Sequence, residues 1–369
     1  MENRQGAVED LEMNRSFWKG RRVFVTGHTG FKGSWLSLWL NDLGAEVSGY
    51  ALSPPTNPSL FRTSRLEDGL DDSTLGDVRD AEGVRVSLQK AKAEVVFHLA
   101  AQPLVRESYA DPVGTYAVNV MGTVNLLEAV RRCDSVRVVV NVTTDKVYEN
   151  KEWIWGYREC DRLGGYDPYS SSKACSELVT SAYRNSFFPL TDYAKHKVAI
   201  ASARSGNVIG GGDWAAGRLI PDCVRAFTKG ENVEIRYPRS TRPWQHVLEP
   251  IAGYIMLAER LYTDGPAVSG AWNFAPEREN AKPVEWIVDT MTRLWGKGAS
   301  FSVRQGEQPH EAGFLFLDNS KAHNFLKWKP RLSISDALRL TVEWFKAFQE
   351  GAETRELCRE QIHGYENSP

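Results

Sequence analysis

Two side chains four residues apart, Tyr169 and Lys173, form a pair that could carry out acid–base chemistry. On a helix, a spacing of four places both side chains on one face. A free tyrosine, with a pKa of about 10, is a poor base at neutral pH, but a neighbouring ammonium group favours the phenolate. The pair could therefore take a proton from a hydroxyl group while a hydride leaves the same carbon atom. Taken alone, the pattern is also common on amphipathic helices whose lysine simply extends along the surface.

A charged triplet, Thr144-Asp145-Lys146, follows an apolar run of strand length at residues 137–142. Ligands of α/β proteins bind at the carboxyl ends of the strands, so this position favours a chemical role over that of a surface ion pair. A protonated carboxyl group and a neutral amine at adjacent positions could serve as a general acid and a general base.

A glycine pattern, Gly27-x-x-Gly30-x-x-Gly33, lies between a predicted strand at residues 21–26 and a predicted helix at residues 34–43. Glycines let the backbone turn tightly and approach a pyrophosphate, whose charge the amino terminus of a helix favours. The sequence therefore predicts a dinucleotide site formed by Gly27, Thr29, Gly30, Phe31, Lys32 and Gly33.

The choice between NAD and NADP stays open at this point. The predicted second strand, residues 45–52, ends without the acidic residue that would bind the ribose, and no arginine adjoins it to mark a 2′-phosphate. Asp77 and Val78 could face the adenine, although Asp77 could equally cap a turn.

The elements that must position these groups alternate between strands and helices. Apolar runs at residues 94–99, 137–142 and 198–205 have the length of strands, and residues 115–132 have helical spacing. Such alternation is typical of a parallel sheet with helices on both faces.

We therefore predict an α/β fold with a Rossmann-type doubly wound parallel sheet and a smaller C-terminal α/β substrate domain. The first domain is predicted over residues 17–205 with a later contribution from about 240–262, and the second mainly over residues 206–369. Residues 1–16 are predicted to be a polar tail.

Composition narrows the class of protein. The 369 residues carry a formal net charge of −2 with the basic residues scattered, which argues against nucleic-acid binding. No apolar run approaches the roughly 20 residues that span a bilayer, so no membrane contact is predicted. The five cysteines are odd in number and widely spaced, which predicts neither a disulfide framework nor a metal site. The sequence predicts a cytoplasmic protein.

Three motifs together resemble the extended short-chain dehydrogenase/reductase family, whose members act largely on nucleotide sugars. They are Gly27-x-x-Gly30-x-x-Gly33, His98-Leu-Ala-Ala101-Gln102 and Tyr169-x-x-x-Lys173. The resemblance runs from about residue 17 to residue 328 and implies a homodimer built on helices near 115–132 and 167–184.

The same resemblance implies further ligand contacts. Ala100, Gln102, Tyr169 and Lys173 would join the glycine turn at the cofactor. Asn207, Arg218, Arg242 and His310 would contact the sugar diphosphate, although each has an alternative as a surface or structural residue.

Within that family, the triplet resembles that of the sugar-nucleotide 4,6-dehydratases, and Lys146 resembles the branch that acts on CDP-D-glucose. The resemblance implies that carbon 4 of the hexose is oxidised at Tyr169 with NAD as hydride acceptor. Lys146 would then remove the proton of carbon 5, Asp145 would protonate the departing hydroxyl of carbon 6, and Thr144 would hold the oxygen of carbon 4. The hydride finally returns to carbon 6, so the cofactor is regenerated.

Four alternatives stay open. A dehydratase of a GDP- or dTDP-hexose would share the mechanism, and an epimerase would share the fold. A non-catalytic NAD(P)-binding sensor would have no need for Tyr169, Lys173 and the triplet. A net dehydrogenase would accumulate NADH.

Overall fold

The protein is described by a computed structural model that covers residues 13–304 and 314–368. Its main sheet has seven parallel strands in the order β3-β2-β1-β4-β5-β6-β11. These strands are β1 (Arg22–Thr26), β2 (Glu46–Ala51), β3 (Asp72–Leu75), β4 (Val95–His98), β5 (Val138–Val142), β6 (Ala199–Arg204) and β11 (Gly270–Asn273). The α/β fold with a Rossmann-type parallel sheet is thus confirmed.

The central strands are apolar because helices cover both faces of the sheet. Every residue of β4, β5 and β6 is buried, which is the pattern expected of a parallel sheet with two covered faces. Thr26 pairs with His98, and His98 pairs with Asn141, so neighbouring strands end at the same level. The loops that follow β1, β4, β5 and β6 therefore open on one edge of the sheet.

The helices have the following bounds: α1 (Arg15–Trp18), α2 (Phe31–Asp42), α3 (Leu60–Thr63), α4 (Ala81–Ala91), α5 (Val105–Ala110), α6 (Pro112–Tyr116), α7 (Gly122–Arg131), α8 (Pro168–Ser186), α9 (Tyr193–His196), α10 (Leu219–Lys229), α11 (Leu248–Asp264), α12 (Val284–Trp295), α13 (Ile334–Gln349) and α14 (Thr354–Glu366). A π-helical stretch at Ala117–Met121 joins α6 to α7, so the predicted helix at 115–132 lies inside a longer helical run. Helix α2 begins three residues earlier than predicted, inside the glycine pattern.

Short strands form three pairs outside the main sheet. Strand β7 (Val208–Ile209) pairs with β10 (Gln245–His246), β8 (Asn232–Ile235) with β13 (Ser300–Val303), and β9 (Thr241–Pro243) with β12 (Ala281–Pro283). The segment at residues 237–250 contains β9, β10 and the start of α11.

The C-terminal half returns to the main sheet over a longer stretch than predicted. The return segment was expected at about residues 240–262, but β11 lies beyond it and pairs with β6 at the edge of the sheet. Strand β11 is only four residues long and has the sequence Gly-Ala-Trp-Asn, which contains no apolar run of strand length, so sequence periodicity did not reveal it. Helix α14 packs against α2 through Trp39 and Tyr365, whose rings lie 5.7 Å apart.

None of the helices in the described ranges combines the length and the apolar character that a membrane crossing requires.

Candidate active site

The glycine turn between β1 and α2 has no room for side chains. Gly27 has a φ of +80°, and a Cβ atom there would lie 2.7 Å from the amide nitrogen of Ala100. A Cβ atom on Gly33 would lie 2.0 Å from the carbonyl oxygen of Gly27. Gly30 is the N-cap of α2 and makes no side-chain hydrogen bond, so no capping side chain occupies the first N–H groups of the helix. This cradle fits the pyrophosphate of a dinucleotide.

The neighbouring loops are held by their own hydrogen bonds. Thr29 donates its hydroxyl hydrogen to the carbonyl oxygen of Leu52 over 2.8 Å. The Gln102 side chain donates to the Thr115 hydroxyl over 2.9 Å and thereby fixes the loop after β4. These contacts fix the loops that carry Thr29 and Gln102, and the contact of both residues with the cofactor stays a prediction.

Asp77 is engaged locally in the structure. Its carboxylate accepts the backbone N–H of Arg79 over 2.9 Å and pairs with the Arg79 guanidinium over 2.5 Å. The capping role considered for Asp77 is therefore present, and a contact with adenine stays a prediction. Val78 is buried against Gly122, where a Cβ atom would lie 2.7 Å from a Val78 methyl group.

Helix α8 places Tyr169 and Lys173 beside the end of β5. Asp167 caps the helix by accepting the N–H of Ser170 over 2.9 Å, and Pro168 occupies its first turn. The Lys173 ammonium group donates to the carbonyl oxygen of Val142 over 2.9 Å. Burial lowers the pKa of Lys173 to about 8, although the charge of Glu177 opposes the shift.

The triplet occupies a single 3₁₀ turn directly after β5, at Asp145–Val147. The Asp145 side chain is fully buried, and it accepts the Thr144 hydroxyl hydrogen over 2.9 Å. The Lys146 ammonium nitrogen lies 3.7 Å from Asp145 Oδ1, and the Asn207 amide donates to Oδ2 over 3.4 Å. Gly206 packs so closely that a Cβ atom there would lie 2.0 Å from the same carboxylate.

The positive charge that most favours the phenolate of Tyr169 comes from a different lysine than the sequence predicted. Burial raises its pKa, while the positive charge of Lys146 and a hydrogen bond with Thr144 lower it. The sequence pointed to Lys173 as the ammonium group that favours the phenolate. In the structure Lys146 is the strongest favourable charge on Tyr169, because Lys173 is directed at a backbone carbonyl.

A cavity of about 370 Å³ extends from these residues towards the C-terminal half of the chain. Its catalytic end is lined by Lys32, Thr144, Asp145, Lys146 and Tyr169, and its far end by β8, Arg236, Tyr237, Arg242 and Trp244. The cavity is therefore elongated and lies between the edge of the sheet and the short strands.

The predicted diphosphate contacts lie along this cavity. Asn207, with a φ of +47°, and Arg218 both line it. The Arg218 guanidinium is paired with Asp213 over 3.0 Å. Arg242 sits on β9 and donates to the Thr241 carbonyl oxygen over 3.1 Å. His310 lies outside the described residues.

Lys32 reaches further than its place in the glycine pattern indicated. Its side chain enters the cavity, and its ammonium group donates to the Ser205 hydroxyl over 3.0 Å. Burial lowers the pKa of Lys32 to about 7, and the charges of Arg218 and Lys173 act in the same direction, against that of Asp145. The sequence prediction assigned Lys32 to the cofactor alone. It did not place the ammonium group beside Ser205, because the direction of a long side chain depends on tertiary packing.

The chain is similar in sequence to several known proteins. The family described as GDP-mannose 4,6 dehydratase matches residues 24–341. A CDP-glucose 4,6-dehydratase from Salmonella typhimurium is 56% identical over 353 residues, which are 96% of this chain and 98% of that protein. A UDP-glucose 4-epimerase from Mycolicibacterium smegmatis is 27% identical over 88% of this chain and 98% of its own.

Solved structures share the fold. A UDP-glucose 4-epimerase from Stenotrophomonas maltophila with bound NAD and formylated UDP-arabinopyranose superposes with a TM-score of 0.75 at 21% identity, over 90% of this chain and 100% of its own. The NAD complex of the Thermus thermophilus UDP-glucose 4-epimerase gives 0.74 at 24% identity, over 88% and 99%.

Proposed function

Because the chain belongs to the GDP-mannose 4,6-dehydratase family, we propose that it converts CDP-D-glucose to CDP-4-dehydro-6-deoxy-D-glucose and water. The observation that carries this proposal is the position of Asp145 and Lys146 beside Tyr169 in one cavity. An oxidation needs only a pair such as Tyr169 and Lys173, whereas the loss of water also needs an acid and a base next to carbons 5 and 6.

The cofactor is a nicotinamide dinucleotide, for which we propose NAD. The glycine cradle at Gly27 and Gly33, together with the uncapped start of α2, fits its pyrophosphate. When bound, it supplies reversible hydride acceptance. The similar structures from S. maltophila and T. thermophilus contain NAD, which supports this choice over NADP. Ala100 and Gln102 would form the opposite wall.

The residues of the chain divide the proton transfers among them. Tyr169 takes the proton of the hydroxyl on carbon 4 as the hydride leaves that carbon, and Thr144 hydrogen-bonds the resulting carbonyl oxygen. Lys146 takes the proton of carbon 5, and Asp145 gives a proton to the hydroxyl that departs from carbon 6 as water. The hydride then adds to carbon 6, and Lys146 returns its proton to carbon 5.

After these proton and hydride transfers, two residues differ from their starting protonation states. Because the product keeps the ketone, Tyr169 holds one proton more than at the start, and Asp145 holds one fewer. Transfer of that proton from Tyr169 to Asp145, directly or by exchange with solvent, restores the site for the next turnover.

Positive groups along the cavity suit the diphosphate of the substrate. Arg218 and Arg242 offer planar donors that match phosphate oxygens, and Asn207 offers an amide. We include His310 in this set on the basis of the sequence resemblance alone.

We also propose a homodimer. Helices α5, α6 and α7 pack beside α8, and their outer faces expose large apolar side chains. These are Tyr109, Val113, Met121, Leu178 and Phe187. A second copy of the chain would cover such a surface. Light scattering should give twice the mass of one chain, and the paired substitution Val113→Asp and Leu178→Asp should reduce it to a single chain.

The proposed function is tested by incubating the purified protein with CDP-D-glucose and, separately, with dTDP-, GDP- and UDP-hexoses. We expect loss of one water from CDP-D-glucose by mass spectrometry without net formation of NADH. Turnover of another nucleotide sugar instead would retain the mechanism and overturn the substrate. Steady accumulation of NADH would indicate a dehydrogenase, and binding of cofactor without any turnover would indicate a sensor.

A further inference from the structure

A buried ion pair lies behind the active site and takes no part in the steps described above. Arg204, the last residue of β6, binds Glu177 of α8 through two hydrogen bonds of 2.9 and 3.0 Å. Their side chains are only 3% and 4% exposed. Burying two charges costs free energy unless their remaining polar atoms also form hydrogen bonds. The residues that form these further hydrogen bonds show which part of the structure the pair holds.

Two of those partners, Thr143 and Tyr148, flank the catalytic triplet. On the amino-terminal side, the Thr143 hydroxyl donates to the Glu177 carboxylate over 2.6 Å. On the carboxyl-terminal side, the Arg204 guanidinium donates to the Tyr148 hydroxyl oxygen over 2.6 Å. The Tyr148 hydroxyl in turn donates to the Asn273 side chain over 2.8 Å. One ion pair thus holds both ends of the segment between residues 143 and 148.

That segment needs an external support. Asp145 and Lys146 lie on one 3₁₀ turn, which has few hydrogen bonds of its own. Tyr169 and Lys173 instead lie in the first turns of α8, a helix of 19 residues capped by Asp167. The groups for oxidation and those for elimination therefore have separate structural supports.

We propose that the Glu177–Arg204 pair positions Asp145 and Lys146 for the elimination half of the reaction. This proposal rests on the proposed function. Neither Glu177 nor Arg204 lines the cavity, so both act through Thr143 and Tyr148 and are positioning residues. Loss of this support would displace the base and the acid from carbons 5 and 6 and leave the phenol in place.

Direct substitution of Glu177 would not separate these effects, because its charge also acts on Lys173. The better variants are Thr143→Val and Tyr148→Phe, each of which removes one hydrogen bond to the pair and keeps both charges. Thr180→Val is the matched control. Thr180 is also buried on α8 and accepts a 2.7 Å hydrogen bond from Asn141, but it does not contact the triplet.

The experiment is a single turnover of CDP-D-glucose on the NAD-loaded enzyme, with NADH followed by absorbance and water loss by rapid-quench mass spectrometry. We expect Thr143→Val and Tyr148→Phe to slow water loss on the order of tenfold and to slow NADH formation by a smaller factor, because Tyr169 and Lys173 keep their places on α8. NADH should then accumulate, and exchange of the carbon 5 hydrogen with D₂O should slow in parallel. Thr180→Val should leave the ratio of the two rates unchanged.

In a variant that folds, the positioning role is wrong if NADH formation and water loss slow by the same factor, or if neither of the two rates falls. Conversion of CDP-D-glucose by the wild type in the same assay keeps this result separate from the proposed function. If the wild type dehydrates no nucleotide sugar, the proposed function itself is wrong.

Discussion

At the scale of single residues, the site contains three amines in different surroundings, of which Lys32 and Lys146 line the cavity. Lys173 donates to a backbone carbonyl, Lys146 lies next to the buried carboxyl of Asp145, and Lys32 donates to Ser205. The hydroxyl of Ser205 in turn lies 2.5 Å from that of Tyr254. Similar side chains can therefore serve different steps, because each amine has a different partner.

Replacing Lys146 should separate the two halves of the reaction. In Lys146→Met the base for carbon 5 is missing while Tyr169 and Lys173 remain, so water loss should fall by about 10²–10⁴-fold. NADH should still form in a single turnover, more slowly because Lys146 no longer favours the phenolate of Tyr169, and should then persist, which absorbance would detect. Tyr169→Phe is the matched variant and should form no NADH. Unchanged water loss in Lys146→Met would remove that residue from the mechanism.

Replacing Lys32 should stabilise the cofactor-free protein. An unfolded lysine binds a proton below about pH 10.4, whereas burial lowers the pKa of folded Lys32 to about 7. Between these values the unfolded state holds more protons, so the contribution of Lys32 to stability rises with pH and is least favourable at pH 7 and below. Lys32→Met should therefore raise the free energy of unfolding by about 1–3 kcal/mol at pH 7.

The gain should shrink towards pH 10, and urea unfolding at several pH values would measure it. Lys195→Met, at a side chain that is 79% exposed, is the control and should show no such trend. A gain that is equal at all pH values would contradict the assigned cause.

At the scale of secondary structure, the junction between β1 and α2 has the tightest backbone packing of the cofactor site. Gly33→Ala would bring a Cβ atom to 2.0 Å from the Gly27 carbonyl oxygen, which requires α2 to move. We expect the affinity for NAD to fall at least tenfold and the melting temperature to drop. Calorimetric titration and thermal unfolding would measure the two effects.

The control for this substitution is Gly364→Ala in α14, where a Cβ atom meets nothing within 4 Å. Alanine favours a helix over glycine by about 1 kcal/mol, so this variant should be slightly more stable and bind NAD normally. If Gly33→Ala behaves in the same way, the turn is more adaptable than its packing indicates.

Sequence periodicity predicted the parts of the site that are local along the chain. The turn at Gly27–Gly33, the spacing of Tyr169 and Lys173, and the triplet after β5 are all recognised from neighbouring residues. In the structure Lys32, Tyr169 and the triplet line one cavity. Glu177 and Arg204 were missed because they are 27 residues apart and meet only through the pairing of α8 with β6. The one local signal was that Glu177 follows Lys173 by four residues on the same face of the helix.

At the scale of the whole molecule, one buried carboxyl group joins the C-terminal segment to the layer of helices on the main sheet. Glu249 of α11 accepts the backbone N–H groups of Arg331 and Leu332 over 2.8 and 2.6 Å, and the Tyr365 hydroxyl hydrogen over 2.7 Å. Burial raises the pKa of Glu249 to about 7, although these hydrogen bonds oppose the shift.

The pH dependence of stability should report this junction. An unfolded glutamate has a pKa of about 4.3, so the folded state holds the proton of Glu249 more tightly, and its contribution is present at low pH and lost as pH rises through about 7. Glu249→Gln should reduce the decline of the unfolding free energy between pH 5 and 8 by on the order of 1–2 kcal/mol.

Some decline should remain in that variant, because burial also raises the pKa of Glu259 to about 7. Glu343→Gln, at a side chain that is 54% exposed, should follow the wild type. A slope that is the same in Glu249→Gln and the wild type would place the titrating group elsewhere.

The packing of α14 against α2 has a consequence for the synthesis of the chain. Trp39 is fully buried and donates to the Glu366 carboxylate over 2.8 Å, so an early helix acquires part of its cover only from the last turns of the protein. At about 5–20 residues per second, the ribosome needs roughly 15–65 seconds to add the intervening residues. During that interval the nascent chain exposes an apolar stripe of α2, and a ribosome that stalls before residue 354 would leave it to the chaperones.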